Sequence, residues 1–138
     1  MNKLILMVGL PRSGKTTWAK QQGFPIVNPD SIRLATHGQR FYGPAEALVW
    51  AFAYLMVDSL FRAGHETVIV DATNVSEKRR SEWGKRFPNA VVIHHIIETS
   101  PEECLARARA VEDDEIIPVI QRMAKEWDLQ RPASWGTP

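Results

Sequence analysis

Leu4-Ile5-Leu6-Met7-Val8-Gly9-Leu10-Pro11-Arg12-Ser13-Gly14-Lys15-Thr16 joins a short apolar run to the spacing G-x-x-x-x-G-K-T, and a helix-like stretch from Thr16 to Gln22 follows. The spacing alone arises by chance, but a buried strand before it and a helix after it make it a phosphate-binding loop. Glycines let the backbone curl until successive N–H groups point inward, and the positive end of the next helix adds to that nest. The residues expected to bind ATP are Gly9, Pro11, Arg12, Ser13, Gly14, Lys15, Thr16 and Thr17. Lys15 is expected to reach the β- and γ-phosphates, and the Thr16 hydroxyl to meet Mg²⁺. A Gly-rich turn with an exposed lysine is the plain structural alternative, and the flanking strand and helix argue against it.

Working outward, strands and helices alternate. Residues 24–28 read as a second strand with a short helix over 30–36, and Pro44 to about Ala63 as a long helix. Its apolar positions Leu48, Ala51, Phe52, Leu55, Met56 and Leu60, with the small Ser59 among them, recur at helical spacing and are expected to face the core. Residues 67–71 form the next strand, and Ser76 is placed to cap a helix running to about Arg86. Residues 90–97 are a further strand, and Ser100-Pro101-Glu102-Glu103 has the cap, proline and acids of a helix start. Helical segments follow over 101–110 and 117–127, and the tail from Arg131 reads as irregular. This βα rhythm predicts an α/β, P-loop NTPase-type three-layer fold, a mostly parallel sheet flanked by helices with ligands at the carboxyl ends of the strands.

The 138 residues suit one domain, with a lid expected at about 105–117. The 44% hydrophobic and 24% charged content is that of an ordinary globular chain. Seventeen Lys+Arg against 16 Asp+Glu leave a net charge of +1, so a polyanion would have to be held by a few local arginines. One cysteine, Cys104, excludes an internal disulfide and fits a cytoplasmic location; its place beside Leu105 reads as a small buried hydrophobe. The N-terminal apolar run is far shorter than the roughly 18–20 residues of a membrane span, and neither a signal peptide nor a membrane partner is expected.

Phosphoryl transfer to an alcohol needs in-line placement, charge neutralisation on the γ-phosphate and a base for the hydroxyl proton. Asp30, after the second strand, is the candidate base; it can equally serve as a helix cap. Arg33, one turn on, can bind an acceptor phosphate or lie in solvent. Asp71, at a strand end, can hold Mg²⁺ through water, with Thr73 and Asn74 lining the acceptor side; a simple Asp-Ala-Thr-Asn turn is the alternative. Arg107 or Arg109 can fold over the nucleotide, with Arg107 among the catalytic candidates and Arg109 with the ATP-binding set, or both can sit on a solvated helix. His94 and His95 alternate across a strand, which argues against a shared metal site. The five tryptophans have no common spacing; packing accounts for most of them.

In this order, Gly9 to Trp18, Asn28-Pro29-Asp30-Ser31-Ile32-Arg33, Asp71-Ala72-Thr73-Asn74 with Glu77-Lys78-Arg79-Arg80, Glu103-Cys104-Leu105-Ala106-Arg107 and Ile117 to Met123 resemble the kinase domain of phage-type polynucleotide 5′-hydroxyl kinases. The resemblance spans nearly the whole chain, and Trp135-Gly136-Thr137-Pro138 resembles the point where that kinase domain ends. It implies ATP and Mg²⁺ at Lys15 and Thr16, Asp30 as general base, Arg33 on an acceptor phosphate, Arg107 in the lid, and DNA or RNA as acceptor. The chain departs from the pattern in its acidic run Glu112 to Glu115, in the spacing of Arg109 and in the loop from Gly38 to Gly43 with Arg40, Phe41 and Tyr42. Those are the parts that select an acceptor.

The expected function is therefore transfer of the ATP γ-phosphate to a nucleic-acid hydroxyl, foremost a 5′-OH. A phage-type DNA kinase acting on 5-hydroxymethyl pyrimidines is the near alternative. Small-molecule kinases of the gluconate or shikimate type, and a nucleotide-dependent switch, are the more distant ones.

Overall fold

The computed structural model describes residues 1–127; the irregular tail and the Trp135–Pro138 stretch lie outside them. Four strands form one sheet in the order β2-β3-β1-β4, with β1 Lys3–Val8, β2 Ile26–Val27, β3 Thr67–Val70 and β4 Val91–Ile96. Every pairing is parallel: Leu6 lies opposite Val70 on one side and His94 on the other, and Val27 opposite Val70. Parallel neighbours need crossovers, and helices supply them: α1 Lys15–Gln21, α2 Pro29–His37, α3 Glu46–Arg62 and α4 Glu77–Arg86, while α5 Pro101–Ala110 and α6 Ile117–Glu126 follow β4. Ser76 and Ser100 cap α4 and α5 by accepting from the backbone N–H groups of Arg79 and Glu103.

The two-residue period of β1 divides the core. Leu4 and Leu6 pack with Val68, Val70, Trp83 and the buried stripe of α3, whereas Met7 joins Ala19 and Ile69, with Trp18 against them. Val8, Leu10, Val75, Cys104, Ala108, Ile120 and Trp127 form a third cluster that seats α5 and α6. Burial among these side chains pushes the Cys104 thiol up to about 11, so it serves as packing. His95 lies parallel to the Trp18 indole with centroids 3.6 Å apart, which pins α1 to β4. Burial lowers the pKa of both His94 and His95, and Arg80 lowers that of His94 further.

The expected face of α3 is corrected by the structure. Leu48, Phe52, Leu55 and Met56 are exposed, and the core receives Val49, Ala53, Tyr54 and Val57. The helix is apolar on nearly every side, so helical spacing of apolar residues does not choose a face. The stretch Gly43–Arg62 is even long and apolar enough to cross a membrane by length and composition; here its valine stripe packs on the sheet. Phe52, Leu55 and Met56 instead line a shallow groove with Ile26, Ile32 and Ala35 of the neighbouring β2 and α2.

Candidate active site

Three strand ends converge on the site, and backbone hydrogen bonds extend the sheet beyond them. The Gly9 N–H donates to the Thr73 carbonyl at 3.0 Å, Asp71 N–H to Val27 at 2.9 Å and Ile97 N–H to Val8 at 2.8 Å. The loop after β1, the residues after β2 and the Asp71–Asn74 turn are therefore held by the sheet itself. They border a cleft of about 1300 Å³ whose lining includes Pro11 to Thr17, Asp30, Arg33, Asp71, Thr73, Asn74 and Arg107.

The loop has the strained shape a phosphate nest requires. Arg12 and Gly14 both take the left-handed conformation, with φ of 65° and 103°. Gly9 lies beneath the loop, where a Cβ would stand 2.9 Å from Ser13 Oγ and 3.3 Å from Ile97. Its lack of a side chain lets the strand end pass close under the loop. The loop is further tied by the Thr99 hydroxyl, which donates to the Ser13 carbonyl at 2.8 Å.

Two features of the loop suit an arriving anion. Ser13 Oγ is buried and has no hydrogen-bond partner among the described residues, and the Lys15 ammonium folds back to donate to the Leu10 carbonyl at 2.7 Å. Burial lowers the Lys15 pKa to about 8, against the opposing pull of Asp71. Beside it, Thr16 Oγ1 donates to Asp71 Oδ2 at 2.6 Å, and Asn28 Nδ2 reaches the same oxygen at 3.2 Å. A hydroxyl that donates once keeps its lone pairs free, so Thr16 can still ligate a metal while Asp71 stands behind it. Among the described residues no group of three or more His, Cys, Asp or Glu could hold a metal alone. Mg²⁺ bound largely by phosphate and water needs no such group.

The helix cap falls to Asn28 rather than Asp30: its side-chain oxygen accepts from the Asp30 and Ser31 N–H groups at 2.8 and 3.3 Å. The Asp30 carboxylate is left free to face the cleft, 74% exposed, with Arg33 Nη1 at 2.7 Å. Arg33 is not the solvated residue a lone helical arginine suggests. Its Nε stands 3.2 Å from both oxygens of Glu46, its Nη2 also bonds Glu46, and burial works against the raised pKa these carboxylates give it.

Two expectations change on the cleft walls, and one holds. Asn74 is 2% exposed and its Nδ2 donates to the Met7 carbonyl at 2.8 Å, so it anchors the turn to β1 and does not reach for an acceptor. Arg109 is exposed and absent from the cleft lining; two residues beyond Arg107, it emerges on the opposite side of α5. Arg107 does lie over the loop, its Nη1 donating to the Arg12 carbonyl at 3.2 Å.

The residues the sequence did not single out are Asp113, Trp50 and Arg79. Asp113 takes a bidentate pair from Arg40 at 2.6 and 2.6 Å and a third contact from Arg12 at 2.8 Å. The Arg40 pair, then Arg12, hold its carboxyl well below the usual range. The acidic run 112–115 carried that signal as a departure from pattern; its partners, 73 and 101 residues away, were beyond any local spacing.

The family model described as the AAA domain matches residues 4–129. The chain belongs to this family. Among solved structures it is similar to a chain of the Pnkp1/Rnl/Hen1 complex, at 27% identity and a TM-score of 0.70, over 77% of this chain and 38% of that one. A chain of the Pnkp1/Rnl/Hen1 RNA repair complex matches at 20% identity and a TM-score of 0.70, over 95% and 49%. A gluconokinase from Sinorhizobium meliloti 1021 matches at 16% identity and a TM-score of 0.64, over 94% and 77%. The chain thus spans less than half the length of the two repair-complex chains. The domain is of the P-loop kinase type: a parallel sheet flanked by helices, carrying a nucleotide-binding loop.

Proposed function

We propose that this domain transfers the γ-phosphate of ATP to a hydroxyl of a nucleic acid, foremost the 5′-OH of a strand. The observation that carries the reading is the Asp30 carboxylate, released from capping by Asn28, exposed in the same cleft as the phosphate loop and oriented by Arg33. A nucleotide switch has no use for such a group, whereas a kinase needs a proton acceptor beside the incoming hydroxyl. Likeness to chains of an RNA repair complex supports a nucleic-acid acceptor.

In this reading the loop N–H groups and Ser13 receive the triphosphate, and Lys15 leaves the Leu10 carbonyl for the β- and γ-oxygens. Thr16, and Asp71 through water, would hold Mg²⁺, which would supply charge neutralisation on the phosphates. Asp30 takes the hydroxyl proton as that oxygen bonds to the γ-phosphorus and the bond to the bridging oxygen breaks, releasing ADP. Arg107 closes over the γ-phosphate from α5 and offsets charge in the transition state.

The test is transfer of label from γ-labelled ATP in Mg²⁺ to 5′-hydroxyl oligonucleotides, hydroxymethyl-pyrimidine DNA, gluconate and other sugars. Label on the 5′ end is the expected result; label only on a modified base or a sugar would move the acceptor assignment. Asp30→Ala should retain ATP binding and lose about two to four orders of magnitude in turnover.

A further inference from the structure

The acceptor wall of the cleft holds two arginines in opposite electrostatic conditions. Arg33 has two carboxylates, Glu46 and Asp30, engaging its Nε, Nη1 and Nη2, so this trio carries net negative charge. A phosphate approaching Arg33 would have to displace a carboxylate and would meet repulsion from the other. Arg79, from the first turn of α4, lines the same cleft and among the described residues pairs with no carboxylate. Its guanidinium carbon lies 3.6 Å from the centroid of the Trp50 ring, and among the described residues its side-chain hydrogen bond is to the Tyr54 hydroxyl at 3.4 Å. Arg33 approaches the same indole less closely, at 6.0 Å.

We propose that Arg79, seated over the Trp50 ring, binds the phosphate on the 3′ side of the terminal nucleotide of a 5′-hydroxyl strand, while Arg33 serves to orient Asp30. The inference rests on the nucleic-acid reading above and names the group that distinguishes a strand from a nucleoside or sugar. A half-buried guanidinium without a counter-anion is costly, and a phosphate removes that cost. Stacking on an indole fixes the plane of the guanidinium and leaves its edge N–H donors available for two parallel bonds to phosphate oxygens. Trp50 is a positioning residue: its indole is partly buried against the α3 core and edge-on to Trp83 at 6.3 Å, so the platform is rigid.

The experiment compares three acceptors in steady state with ATP and Mg²⁺: a nucleoside, the same nucleoside 3′-monophosphate and a short 5′-hydroxyl oligonucleotide. Arg79→Ala should raise KM for the two phosphate-bearing acceptors about 10- to 100-fold. Its KM for ATP and its activity on the plain nucleoside should stay near wild type. The salt dependence of oligonucleotide binding should weaken by roughly one phosphate contact. Arg79→Lys should fall between, Trp50→Phe should keep the preference and Trp50→Leu should lose it. If Arg79→Ala or Arg79→Lys weakens all three acceptors alike, or leaves the preference for the 3′-phosphate intact, Arg79 is a packing residue and the proposal is overturned. A wild-type enzyme that labels none of the three acceptors would overturn the nucleic-acid reading itself, an outcome separate from the variant pattern.

Discussion

The Thr16 hydroxyl and the Asp71 carboxylate, 55 residues apart, meet across 2.6 Å and join the first turn of α1 to the end of β3. The contact gives each group one role: Thr16 can face a metal, and Asp71 can accept hydrogen bonds from the metal's water ligands. Because Asp71 acts from behind, its loss should weaken the metal without erasing the site. Asp71→Asn should raise the Mg²⁺ concentration for half-maximal turnover about 10- to 100-fold, with the fold unchanged by circular dichroism. An unaltered Mg²⁺ titration would leave Asp71 as a structural partner of Thr16 alone.

Lys15 sets a pH dependence whose sign follows from its lowered pKa. Burial takes it from 10.5 to about 8. While charged it therefore opposes folding, and that cost fades as pH rises from about 8 towards 10.5. A triphosphate reverses the preference and holds the ammonium charged. Nucleotide binding should thus take up close to one proton at about pH 9 and almost none at about pH 6.5. Calorimetry in buffers of differing ionisation enthalpy checks this, and Lys15→Met should abolish the uptake.

Asp113 occupies Arg12 and Arg40. Both arginines are partly exposed, so each pair is worth little, on the order of 1 kcal/mol or less. Asp113→Asn should free Arg12 for the triphosphate and lower KM for ATP by about two- to five-fold. Stopped-flow binding should show the gain in the association rate, and added salt should shrink it. A rise in KM would mean instead that the carboxylate helps shape the loaded cleft.

The reversed face of α3 has a direct test. Val57→Asp places a charge in the closed core and should unfold the protein or cost several kcal/mol. Leu55→Asp, on the exposed side, should change stability by less than about 0.5 kcal/mol. Thermal melts of the two variants separate the faces, and equal destabilisation would return Leu55 to the core.

Legibility in the sequence followed the range of the forces involved. The strands, the loop and the Ser76 and Ser100 caps were readable because each depends on neighbours within a few residues. The placement of Asp30 and Arg107 at the cleft was readable because strand ends and the loop fix where they arrive. The facing of α3 was not, since a helix apolar on most sides carries no directional signal. Nor were Arg79 on Trp50 and Asp113 between Arg12 and Arg40, whose partners are brought together only by the crossovers. Asn74 misled for a related reason: a polar residue after a strand reads as a ligand-facing group, and here it ties the turn to Met7.

The hydrogen bonds that carry the sheet past Val8, Val27 and Val70 divide the cleft into two kinds of material. The groups that handle the triphosphate stand on a rigid floor made from central strands. Much of the acceptor side is lined from α2, α3, α4 and the loop at Gln39 to Phe41, outside those strands. Changes there leave the floor intact, so a new acceptor can be accommodated by altering a few wall residues while the donor chemistry is inherited whole. A lineage built on this plan can diversify its substrates without relearning how to hold ATP.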